Sequence, residues 1–267
     1  MPLLKKTAVF WSKNSYGHIE FILRSSAGTT AVLQDGFKEK LKDYYEKFKI
    51  INEKTQNSPP SMAYLREFLH INSGFINLLE RLKLEAFSGY PVILQTVSHC
   101  IYEQRYINAV FGNKNDNGNV LITNYFLPFL NNNISCYYNQ MYFWSIIGSM
   151  HPSFLMQDNA FYNSVNGYAK EFLTSVCNSY NAICYRLSEL KKPIKRAALS
   201  EIFADFCILN KEYLEFLQDI KDKNKKIFVS VVTVRLPADF YKSVDHQIAE
   251  TLLTAEICKN ITPNLKK

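Results

Sequence analysis

The sequence predicts an all-α fold of two tandem four-helix bundles that arose by internal duplication. Three observations carry that prediction. The first is a repeated stretch. FWSKNSYGHIEF at 10–21 and FWSIIGSMHPSF at 143–154 share Phe-Trp-Ser, a His six residues after the Ser and a Phe three residues after the His. Both tryptophans of the chain, Trp11 and Trp144, lie in these segments. The second is an ungapped match of FLHINSGFINLLERLK (68–83) with FCILNKEYLEFLQDIK (206–221), which pairs Asn72 with Asn210 and Phe75 with Tyr213. The third is His-x-x-x-Glu near the end of each half: His99 and Glu103, then His246 and Glu250. Around all three motifs, apolar residues recur at helical spacing.

Residues 6–24 read as the first helix, with Trp11, Asn14 or Ser15, His18, Phe21 and Ile22 on one stripe. A second helix is expected over 31–53, where Phe37, Leu41, Phe48 and Ile51 line one side. Asn57-Ser58-Pro59-Pro60-Ser61 breaks the chain before a third helix at 62–86. Ser88-Gly89-Tyr90-Pro91 breaks it again, and Pro91 suits the first turn of a fourth helix carrying His99 and Glu103. The Gly- and Asn-rich run 112–119 reads as a linker. The expected domains are therefore 1–112 and 135–267, joined by 113–134, where Pro128 argues against a long helix.

The second half repeats the plan. A fifth helix is predicted at 135–157, kinked or ended by Pro152, because proline removes a backbone donor. A sixth follows at 159–189 and a seventh at 195–222. The β-branched run 227–234 suits a short extended connector. Leu236-Pro237 opens an eighth helix reaching about residue 260.

Composition limits the function classes. The 267 residues are 47% hydrophobic and 21% charged, so the chain can build a core and is not a disordered segment. No apolar run reaches the roughly 18–20 residues of a membrane-spanning helix. The apolar piece after Lys5-Lys6 is broken at Ser12-Lys13-Asn14, too early for a signal-peptide core. The expectation is a cytoplasmic protein without a membrane partner. The six cysteines form no C-x-x-C pair and read as small buried hydrophobes. The net charge of +7 comes from Lys-rich patches, two of them at expected helix ends, and this argues against nucleic-acid binding. Homo-oligomerisation stays open. No phosphate loop, nucleophile elbow or dinucleotide turn is present, so the sequence implies no organic cofactor and leaves enzymatic activity undecided.

Polar residues on stripes that should be apolar are the candidate site. His18, Asn72, His99 and Glu103 fall inward in the first half, and His151, Asn210, His246 and Glu250 in the second. Residues four apart share a helix face, so each His-x-x-x-Glu presents both side chains together. Two imidazoles and a carboxylate can ligate Fe(II) or manganese in a helical bundle, and zinc accepts the same donors. A buried ionised Glu is costly unless paired, and a metal removes that cost. The candidate metal ligands are His18, His99 and Glu103, then His151, His246 and Glu250, with Asn72 and Asn210 as supporting or weak ligands. The other physical reading is a metal-free network in which Glu pairs with His inside a non-catalytic helical scaffold.

These motifs resemble the bacillus and clostridium family filed as domain of unknown function twenty-nine thirty-five. The resemblance rests on the Phe-Trp…His…Phe helix of each half and on the later His-x-x-x-Glu. It covers nearly the full length and implies tandem ferritin-like bundles with metal binding. The family pattern places Glu immediately before the first-helix His, where this chain has Gly17 and Met150.

Overall fold

Residues 2–27, 33–57, 61–111, 113–114, 120–121, 134–190, 193–222 and 236–265 are described by a computed structural model. The protein is all-α. It divides into two compact units, Met1–Leu127 and Pro128–Lys267. The connector 227–234 and most of the stretch 113–134 lie outside the described residues. Within that stretch, Asn113–Lys114 and Val120–Leu121 pair as a two-residue antiparallel ladder.

The first unit holds α1 (Pro2–Ala27), α2 (Asp35–Asn57), α3 (Met62–Arg81) and α4 (Pro91–Phe111). Ser61 caps α3 by accepting from the Tyr64 N–H at 3.2 Å, which satisfies one of the orphan donors of the first turn. The expected single helix over 62–86 changes its winding at Leu82, and Leu82–Ala86 form a π-helical turn. Each helix packs on two others, in the cycle α1–α2–α3–α4–α1. The pairs run antiparallel. Lys5 meets Gln56, Asn52 meets Ser12 and Tyr45 meets Glu20, so rising numbers on α1 meet falling numbers on α2. Asn72 and Phe68 of α3 meet Gln104 and Phe111 of α4 in the same sense.

Phe48 holds the centre of this unit. It packs edge-on to Phe68 and Phe75, with ring centroids 5.9 and 5.4 Å away. Edge-to-face rings put the positive edge of one on the negative face of another. Each such buried side chain contributes about 1.5–3 kcal/mol through the water it leaves. Trp11 is buried, with Phe10 edge-on at 5.0 Å and Tyr106 tilted at 6.0 Å. The buried hydroxyls of Ser12 and Ser15 return to the carbonyls of Ala8 and Trp11, each at 2.8 Å, so these polar groups cost the core little.

The second unit holds α5 (Ile134–Gln157), α6 (Asn159–Ser164), α7 (Gly167–Ser188), α8 (Arg196–Lys221) and α9 (Ala238–Leu265). Its long helices close the cycle α5–α7–α8–α9–α5. The helix expected at 159–189 is two helices. Asn166 is extended and accepts from the Ala169 N–H at 2.9 Å, so it caps α7 and ends continuity with α6. Asp158 caps α6 in the same way at 2.8 Å.

Pro152 does not end α5, which continues to Gln157. The carbonyl of Ser149, on the turn below the proline, accepts from Cys177 Sγ at 3.2 Å, so a neighbouring helix supplies a donor there. Gly148, the residue whose carbonyl a proline at 152 leaves without its helical donor, lies under Tyr180. A Cβ at this position would fall 2.6 Å from the Tyr180 ring, so only glycine admits the tyrosine.

All six cysteines are free thiols. Cys100, Cys136 and Cys258 are buried, and the other three are half-buried. Burial pushes the Cys136 thiol up to about 12 and the Cys184 thiol up to about 11. At pH 8 a thiol of pKa about 12 is thiolate in about one molecule in ten thousand. Iodoacetamide at pH 8 should therefore leave Cys136 unmodified in the folded protein and alkylate it fully in urea, as read by peptide mass spectrometry. Equal labelling in both states would contradict the burial.

Candidate metal centre

In the first unit the site is built where α1 meets α4. Trp11, Asn14 and His18 recur at intervals of three and four, so one face of α1 delivers all three. His99 and Glu103 are one turn apart on α4. His18 and His99 are each 3% exposed and Glu103 is fully buried. His18 Nε2 lies 3.3 Å from Glu103 Oε2, and His99 Nε2 lies 3.0 Å from Glu103 Oε1. The two imidazole rings stand nearly perpendicular, with centroids 5.9 Å apart. One donor atom from each of the three residues lies within 4.8 Å of the others.

The second unit places its residues alike, where α5 meets α9. His151 Nε2 lies 2.9 Å from Glu250 Oε2, and His246 Nε2 lies 3.0 Å from Glu250 Oε1. The rings are 6.4 Å apart at 70°. His151 is 2% exposed and Glu250 is 1% exposed, but the His246 side chain keeps a quarter of its surface open. Burial of Glu250 opposes its ionisation. The charges of His246 and His151, and the hydrogen bonds they offer, outweigh burial and hold this carboxyl well below the usual range.

Asn72 and Asn210 support the site from the third helix of each cycle. Asn72 Nδ2 donates to the Gln104 carbonyl and to Asn108 Oδ1, both at 2.8 Å. Asn210 Nδ2 donates to the Thr251 carbonyl at 3.2 Å. In each unit the accepting carbonyl belongs to the residue after the glutamate. Each asparagine thus fixes the height of the helix that carries His-x-x-x-Glu.

Two participants were not assigned from the sequence. Asn14 Nδ2 donates to Glu103 Oε2 at 2.8 Å. Gln104 places Nε2 3.4 Å from His18 Nδ1 and accepts from Ser15 Oγ on Oε1 at 3.1 Å. The Gln104 amide suits two proton arrangements. Donating to Nδ1, it fixes the His18 proton on Nε2, facing Glu103. Flipped, it accepts from Nδ1–H and donates to the Ser15 hydroxyl, which frees the Nε2 lone pair for a cation. Asn14 was readable, since it stands four residues before His18. Gln104 was not, because adjacent helix residues do not share a face.

The spacing suits ligation. Two donors bound to one metal at about 2.1 Å stand about 3.0–3.4 Å apart for cis or tetrahedral angles. The nitrogen–oxygen separations here run from 2.9 to 3.3 Å. Buried His and Glu side chains of this protein could therefore hold a metal ion. No helix among the described residues is long and apolar enough to cross a membrane. Comparison of the chain with family models, with curated proteins and with solved structures gives no match in any of the three.

Proposed function

We propose that the chain is a cytoplasmic metal-binding protein built from two ferritin-like bundles, descended from one duplicated ancestor. His18, His99 and Glu103 hold one ion; His151, His246 and Glu250 hold another. Iron or manganese fits a two-His, one-carboxylate set with open positions best, and zinc is the alternative. The observation that carries this reading is a fully buried carboxylate met on both oxygens by imidazole nitrogens, in each unit. A Glu in such a setting is strongly disfavoured without opposing positive charge. Kinship with the domain of unknown function twenty-nine thirty-five is proposed on the same motifs.

The reading predicts that protein purified without a histidine tag and loaded anaerobically retains close to one iron or manganese per unit after desalting, measured by elemental analysis. Retention below about a tenth of an ion per chain, against the tight binding expected of a preformed buried site, would overturn it. One observation favours the metal-free scaffold instead. Asn14 already donates to Glu103, so this carboxylate has a neutral partner besides its imidazoles.

A further inference from the structure

The second unit contains a cavity of about 10 Å³, measured as space open to the centre of a water molecule, beside its carboxylate. That is room for about one water. His151 and Glu250 form part of the wall, and every residue of the lining is buried. The ring of Tyr180, resting on Gly148, bounds another side.

The reason for the space is visible when the two motifs are aligned. With Trp11 over Trp144 and His18 over His151, Asn14 falls on Ile147 and Ser15 on Gly148. With Glu103 over Glu250, Gln104 falls on Thr251. In the first unit these positions hold two amides and a hydroxyl that bond to Glu103, beside His18, and to each other. In the second unit they hold an apolar branch, no side chain and a shorter one. The Thr251 hydroxyl turns back to the Gln247 carbonyl at 2.7 Å. The two amides that reach the carboxylate and its histidine in one unit, and the hydroxyl that bonds to one of them, are thus missing or turned away in the other, and a water-sized volume remains.

We infer that the second centre takes a water-sized exogenous ligand in this cavity, bound to the metal of His151, His246 and Glu250. In the first centre the Asn14 and Gln104 amides fill the corresponding place. This rests on the metal reading proposed above. Nitric oxide is a suitable probe because its size suits the cavity and its adduct with Fe(II) has a distinct electron paramagnetic resonance signal.

The test uses the full chain loaded with Fe(II). Wild-type protein should take up nitric oxide at a single centre. Thr251→Gln, which imports the first unit's residue, should keep its iron and bind nitric oxide about tenfold more weakly, as overfilling a small site implies. Thr251→Val, of similar volume, should bind as wild type does. Should Thr251→Gln not fold, the double change Asn14→Ile with Gln104→Thr carries the test, since it should open the first centre and raise nitric oxide uptake. Iron-loaded protein that gives no nitrosyl signal overturns the cavity inference and leaves the metal centre standing. Equal uptake by wild type and Thr251→Gln, or no added uptake by the double variant, also overturns it. Protein that retains no iron overturns the metal centre and this inference with it.

Discussion

Glu250→Ala should strip the second unit of its metal and lower that unit's stability by about 3–5 kcal/mol, as loss of one partner from a buried charged cluster does. The carboxylate lies within 3.0 Å of both His151 Nε2 and His246 Nε2. Removing it leaves two imidazoles without the carboxylate that both face. Glu250→Gln keeps the volume and one acceptor, so it should lose metal with a smaller stability change. Metal content after desalting and guanidinium unfolding of the apo and loaded forms read the two effects separately. Undiminished metal in Glu250→Ala would remove Glu250 from the ligand set. A full stability loss in protein that never bound metal would favour the scaffold reading.

Trp11→Ala should cost about 3–5 kcal/mol, the usual range for truncating a large buried aromatic. Trp11 is 1% exposed and Trp144 is 3% exposed. Their surroundings correspond. Phe10 stands edge-on to Trp11 at 5.0 Å, and Phe143 to Trp144 at 4.9 Å. Trp144→Ala should therefore give a loss of similar size, and both can be followed by far-ultraviolet circular dichroism in denaturant. Neither change removes a proposed ligand, so metal binding under strongly native conditions should outlast the stability loss. A cost under about 1 kcal/mol at either site would mean that the neighbourhood collapses into the space, and that the tryptophan is not an anchor.

The all-helical class was legible because apolar spacing reports which face of a helix is covered, and the stripes here are long. What escaped the sequence was local. The break at Asn166-Gly167 looked like tolerated helix, because a cap is defined by one extended residue and not by periodicity. Pro152 looked like a kink or a terminus, but whether a proline stops a helix depends on the packing around it, and here Tyr180 lies on Gly148 and the Cys177 thiol of another helix donates to the Ser149 carbonyl. The π-helical turn at Leu82–Ala86 has no compositional signature. At the candidate site, His18, His99 and Glu103 could be grouped by motif because their rare side chains recur in a second copy. Gln104 could not, since its role depends on the side chain reaching sideways to Ser15 and His18 across a helix pair.

The proposed ligands of each unit sit on its first and last long helices. Asn14 and Glu103 touch although 89 positions separate them in the chain. A cation held by His18, His99 and Glu103 would act as a clasp on nearly the whole length of its unit, joining α1 to α4. Loop-closure entropy makes such remote pairings slow to form, and helices that are neighbours in sequence should assemble before them. A clasp of this kind adds to stability in proportion to the logarithm of free metal, about 2.7 kcal/mol at a hundredfold excess over the dissociation constant. The protein's lifetime against unfolding would then follow the metal supply of its surroundings, whether or not any reaction takes place at the ion.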